Sequence, residues 1–179
     1  LICAMPNTNP SPDSMKDLKH ILRLIKENAK MKVIPYGRIT RGNHINSPVV
    51  DMKNMANHVC GFTNDGFGIQ STKQMYYAMH MARQYETLIA AHCEDEELLF
   101  DGYVHKGIQA EKEGWQGITS LSESIPIARD TLIAEETKAR YHVCHISTKE
   151  GVQIVRDAKK RGVDISAEVT PHHLLLTEL

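Results

Sequence analysis

The chain has no excess of either charge: lysine and arginine number 21, aspartate and glutamate 22, for a formal charge of −1. A nucleic-acid or anionic-membrane surface needs a basic face. The longest basic run, Lys159-Lys160-Arg161, suits a helix C-terminus instead, where cations offset the carbonyl dipole. No uninterrupted apolar stretch is long enough to span a bilayer, and no signal-peptide pattern opens the sequence. Cys3, Cys60, Cys93 and Cys144 lack any CxxC spacing and sit in apolar, strand-like surroundings. That argues against a disulfide framework and predicts reduced thiols in a cytoplasmic protein. No Gly-x-Gly-x-x-Gly opens a helix, so a dinucleotide-binding fold has no support. An initiator methionine is also missing. The sequence starts at "LICAMPNT", as if inside a strand, and stops at "HLLLTEL", in an apolar run. The expectation is an internal piece of something longer.

What is present alternates between strand-like and helix-like segments. "LICAM" is a short apolar run ended by the turn-rich "PNTNPSP". Ser11 or Asp13 is then placed to cap a helix carrying Met15, Leu18, Ile21, Leu22 and Ile25 on one face. "KVIPYG", "VCGF", "TLIAAH", "YHVCHI" and "VDISAEVT" follow as strands. Helices are predicted near 52–57 and 73–84, in "SIPIARDTLIAEETKA" with Ser124 as cap and Pro126 in its first turn, and after Ser147, where Glu150 completes a capping box. Gly162 is the expected stop of that last helix, and residues 94–122 form a long loop. Repeated β-α units without hairpin signals imply a parallel sheet covered by helices. A closed barrel needs eight units and about 250 residues. The predicted fold is therefore an α/β, (β/α)8 TIM-type barrel, incomplete, with about six of eight units in one partial domain over residues 1–179.

In such a fold, function gathers at the C-terminal ends of strands. His145 ends the strand "YHVCHI", His92 ends "TLIAAH", and Asp65 follows "VCGF". Two imidazoles and a carboxylate converging on one mouth suit a divalent ion such as Zn²⁺. Each histidine alone is also compatible with a hydrogen-bonded structural role, and "TNDG" with a turn. Alternation points Cys144 away from His145, toward the helices, and His142 by the same logic. Adjacency sets Cys93 on the face opposite His92, which argues against a thiol–imidazole pair. Asn7, in "MPNTNP", is either a mouth residue able to donate and accept hydrogen bonds or part of a Pro-braced turn. His172 and His173 lie at another strand end, and either line the mouth or form a turn.

Taken together, "MPNTNP", "FTNDGFGIQ", "AHCED", "HVCHISTKE", "VRDAKK" and "AEVTPHHLLLT" resemble the dihydroorotases of the bacterial class I type, in the amidohydrolase superfamily. The resemblance implies a centre of two zinc ions and the reversible ring opening of dihydroorotate to N-carbamoyl-L-aspartate in pyrimidine synthesis. Asp65 would be the carboxylate bridging the metals, His92 and His145 ligands of the second metal, and Asn7 a group that binds the substrate carboxylate. The family's His-x-His pair belongs to a strand before this stretch and its general-base aspartate to one after it. A homodimer is expected, with aspartate carbamoyltransferase as a possible partner, and neither nucleic acid nor membrane. One departure stands out: the family usually carries Asp-Asp-Gly where this chain has Asn64-Asp65-Gly66. If Asn64 supports a ligand, metal affinity would change. The competing readings are a hydantoinase or allantoinase, and a non-catalytic paralogue that is a structural partner of aspartate carbamoyltransferase.

Overall fold

The computed structural model describes residues 1–177; Glu178 and Leu179, the end of the "HLLLTEL" run, lie outside the described residues. Strands and helices alternate. The order is β1 (Ile2–Ala4), α1 (Met15–Asn28), β2 (Val33–Pro35), α2 (Met52–Met55), α3 (Thr72–Gln84), β3 (Leu88–Ala91), β4 (Val104–His105), α4 (Ile108–Glu113), β5 (Gly117–Ile118), α5 (Leu121–Thr137), β6 (Arg140–Val143), α6 (Lys149–Lys160), β7 (Ile165–Ala167) and α7 (Pro171–Leu175).

All the pairings of the main sheet are parallel. β1 pairs with β2, and β6 lies between β3 and β7. The predicted strand "VCGF" is reduced to Phe62, which bridges Gly37 on one side and Ile89 on the other, both in parallel. Its amide donates to the Leu88 carbonyl (2.8 Å), and its carbonyl accepts from Ala90 (2.9 Å). Gly61 permits this: a Cβ there would lie 2.9 Å from the Leu88 carbonyl oxygen. Six parallel positions therefore follow one another in chain order, so their C-terminal ends share one edge.

Two apolar layers flank the strands. The larger core joins Phe62, Ile89, Ala91, Tyr141, Val143 and Ile165 of the strands to residues of α1, α2, α3, α5 and α6. Burying side chains of this size contributes about 1.5–3 kcal/mol each, and this layer fixes the helices to the sheet. The smaller cluster, Tyr36, Ala90 and Cys144 with Met5 and Cys60, contains no helical residue. Cys144 thus faces away from the helices, contrary to the sequence expectation. Regular alternation along β6 puts Tyr141 and Val143 toward the helices and Cys144 on the other face. His145 breaks the pattern, with φ at 36°.

Several caps differ from expectation. Ser14, not Ser11 or Asp13, caps α1, accepting from the Asp17 amide (3.2 Å), while Ser11 donates to the Pro6 carbonyl (2.7 Å). α5 starts at Leu121, so Pro126 lies inside it and not in its first turn. Thr148, not Ser147, caps α6 through the Gly151 amide (3.2 Å). The expected stop at Gly162 is present, with φ at 84°, a conformation glycine adopts without strain. Residues 94–122 are not a plain loop: they hold β4 and β5, paired in parallel, and α4. Among the described residues no helix is long and apolar enough to cross a membrane.

Candidate metal centre

The three residues singled out from strand ends meet at the shared edge. Asp65 follows the Phe62 bridge, His92 follows β3, and His145 follows β6. One ligand atom from each lies within 4.8 Å of the others. His92 Nδ1 and His145 Nε2 are 3.1 Å apart, and His145 Nε2 is 3.6 Å from Asp65 Oδ1. Tetrahedral coordination at about 2.0–2.1 Å per bond sets donor atoms roughly 3.3 Å apart. Two imidazole nitrogens and a carboxylate oxygen at these separations fit a single divalent ion. The far side of the His92 ring, Nε2, faces Glu94 Oε1 at 3.8 Å.

Electrostatics tie the three together. Hydrogen bonding with His145 holds the Asp65 carboxyl below its usual range, with burial opposing and Asn7 assisting. The same contact raises His145, against the effect of burial. Asn7 lies in the loop that follows β1 and donates from Nδ2 to Asp65 Oδ2 (3.0 Å). The positive φ of His145 costs of order 1–3 kcal/mol for a non-glycine residue and persists only where neighbours over-determine it. Those neighbours are identifiable. The Cys144 amide donates to the Ala91 carbonyl (3.1 Å) and the Ile146 amide to that of Glu168 (2.8 Å), fixing the chain on both sides of His145.

Two further side chains clamp the loops that carry the ligands. Gln70 Nε2 donates to the Glu94 carbonyl (2.9 Å) while its Oε1 accepts from the Glu96 amide (3.1 Å), joining the loop after Asp65 to that after His92. Asn64 is 4% exposed and turns inward. Its Oδ1 accepts from the amides of Ile39 (3.0 Å) and Thr40 (3.2 Å), and its Nδ2 donates to Thr40 Oγ1 (2.6 Å). The residue that departs from the family pattern therefore shapes the chain after β2 and does not contact Asp65's partners. Neither clamp was visible in the sequence, because each acts on a segment more than twenty positions away.

His142, Cys144 and Glu168 form a second group of close donor atoms. His142 Nδ1 contacts Ser166 Oγ (2.8 Å) and its Nε2 lies 3.5 Å from Glu168. Burial pushes the Cys144 thiol up to about 12, so the thiolate that a metal requires is disfavoured. Cys93 is buried against Tyr141 Oη (3.2 Å) with its thiol raised by burial, which disfavours the thiolate there. His172 and His173 are exposed on α7, where Thr170 caps the helix, and line a cavity of about 740 Å³ with His105, Ser147 and Lys149. The lining of that cavity does not include Asp65, His92 or His145.

The model of the family described as dihydro-orotase-like matches residues 1–151. The chain belongs to the dihydro-orotase-like family. It is 47% identical over 178 residues to a dihydroorotase of Staphylococcus epidermidis and 49% identical over 178 residues to one of Listeria monocytogenes serovar 1/2a. Each comparison covers 99% of this chain but 42% of the relative, so the chain spans well under half the length of the dihydroorotases it matches. Among solved structures, an L-hydantoinase (dihydropyrimidinase) from Arthrobacter aurescens superposes with a TM-score of 0.79 at 20% identity, over 98% of this chain and 40% of that one. A D-hydantoinase (dihydropyrimidinase) from a Thermus species gives 0.67, also at 20% identity, over 97% and 39%. These structures share the fold of this dihydro-orotase-like chain.

Proposed function

We propose that the complete protein is a dihydroorotase, a hydrolase that interconverts dihydroorotate and N-carbamoyl-L-aspartate in pyrimidine biosynthesis. The observation that carries this reading is the convergence of Asp65, His92 and His145 at one sheet edge in a chain of the dihydro-orotase-like family. The six parallel positions are read as part of an eight-fold barrel that lacks about two units, with residues 1–179 one partial domain. The complete protein is read as cytoplasmic and homodimeric.

Asp65, His92 and His145 are assigned as metal ligands, with Zn²⁺ the best match to the nitrogen and carboxylate donors and two ions expected per site. When bound, such ions supply Lewis-acid polarisation of the amide carbonyl and a nucleophile at neutral pH. The protein's part is to hold the three donor groups within reach of one ion. The contact that keeps Asp65 ionised favours the protonated form of His145, so an ion bound there would displace a proton from that imidazole. Asn7 retains a second amide hydrogen beyond the one it gives to Asp65, and that donor is available to a substrate carboxylate. The general base and a His-x-His pair are expected outside this stretch.

The likeness to hydantoinases makes the ring size of the substrate the point to test. Purified complete protein, loaded with zinc, should open dihydroorotate in preference to hydantoin or allantoin when the three compete. Preference for hydantoin, or tight association with aspartate carbamoyltransferase without turnover, would overturn the assignment.

A further inference from the structure

The loop that follows His145 is anchored by a carboxylate from a different element. Glu123, in the first turn of α5, accepts from the Ser147 amide at Oε1 (2.9 Å) and Oε2 (3.1 Å), from Ser147 Oγ (2.8 Å) and from the Thr148 amide (2.8 Å). The Thr148 hydroxyl donates to it as well, while accepting from the Gly151 amide to cap α6. One carboxylate thus serves the main chain and both hydroxyls of two consecutive residues, immediately beyond His145 and Ile146.

The same turn of α5 reaches the other histidine. Pro126 has no amide hydrogen, so the Ser122 carbonyl, four residues earlier, has no helical donor. That carbonyl accepts instead from the Asp95 amide (2.8 Å), three residues past His92. The misplaced proline and the glutamate therefore act together. One frees a backbone acceptor for the loop after β3, and the other supplies a side-chain acceptor for the loop after β6.

We infer that Glu123 is a positioning residue for the metal centre: by binding Ser147 and Thr148 it holds His145, in its left-handed conformation, at coordinating distance from His92 and Asp65. The inference rests on the assignment of those three residues as metal ligands. A charged acceptor suits the task, since charge-assisted hydrogen bonds are roughly twice as strong as neutral ones. Supporting groups of this kind typically change metal affinity by about 10–100-fold when removed.

The test uses the complete protein, stripped of metal and titrated with Co²⁺ and, against a chelating dye, with Zn²⁺. Glu123→Ala should bind Zn²⁺ about 10–100-fold more weakly and shift the visible absorption of bound Co²⁺. Both are read well below the thermal midpoint of the metal-free variant, so that loss of the fold is not counted as loss of the site. Glu123→Gln keeps one acceptor oxygen but opposes a donor to the Thr148 amide, and should fall between wild type and alanine. Ser147→Ala removes a single hydrogen bond, cannot disturb the α6 cap, and should lose little affinity in the wild type and none in Glu123→Ala. His145→Ala serves as the reference. If it weakens binding while both Glu123 variants match wild type in affinity and spectrum, the positioning role is overturned and the ligand assignment stands. If His145→Ala binds like wild type, the ligand assignment itself fails, and the inference with it.

Discussion

Asn64→Ala isolates the contribution of the one residue that departs from the family pattern. The Asn64 side chain is 4% exposed and satisfies the amides of Ile39 and Thr40, both themselves buried. Truncation to alanine leaves two buried N–H groups without an acceptor, at about 1–3 kcal/mol each. Thr40 Oγ1 keeps its bond to the Gly42 carbonyl (2.7 Å), so the hydroxyl adds little. The expected loss is about 2–6 kcal/mol, read from urea unfolding of the metal-free complete protein. Asn64→Asp separates the two possible roles. It retains both acceptors but sets an oxygen against Thr40 Oγ1, now 2.6 Å from Nδ2, and adds the desolvation of a buried carboxylate. We expect about 1 kcal/mol of destabilisation and unchanged metal content, because the side chain turns away from Asp65. A loss below about 0.5 kcal/mol for Asn64→Ala would refute the hydrogen-bond accounting. A tenfold change in zinc affinity for Asn64→Asp would show that this position does act on the metal.

The remaining predictions concern the site and the support behind it. Asp65→Ala in the complete protein should lose bound metal and ring-opening activity together; retention of both, measured by elemental analysis and turnover, removes Asp65 from the site. In the metal-free protein, the lowered Asp65 contributes stability that is present above the ordinary carboxylate value of about 4 and lost as pH falls through its lowered value. The raised His145 contributes stability that is complete below about 6.5 and lost as pH rises through its raised value. Urea midpoints should therefore be highest between these limits and depend less on pH in His145→Gln; an unchanged profile in that variant counts against the pair. Behind β6, buried Asp130 accepts from Arg129 Nε (2.7 Å) and from the Tyr141 hydroxyl (3.2 Å). Asp130→Ala strands a largely buried guanidinium and should cost about 3 kcal/mol, whereas Tyr141→Phe should cost about 1 kcal/mol, both by chemical denaturation.

The parallel α/β organisation and the three candidate ligands were legible from residue order alone. Strand periodicity is local, and in a parallel sheet every residue that ends a strand is delivered to the same edge, so Asp65, His92 and His145 could be grouped before their distances were known. What came only from the tertiary structure involves partners distant in the chain or departures from regular geometry. Alternation counted back from His145 predicts the wrong face for Cys144, because the left-handed backbone at His145 breaks that alternation. Ser147 and Glu150 carry a capping-box pattern, yet Thr148 caps the helix, because Glu123, 24 positions earlier, takes the Ser147 amide and hydroxyl. Asn64 had the composition of a turn and proved to be a buried clamp on Ile39 and Thr40. The sequence by itself determined which chemical groups arrive at the edge, since that depends on local periodicity. Their spacing and support were decided by the packing of α5 and the loops against one another, which brings together groups that no local pattern connects.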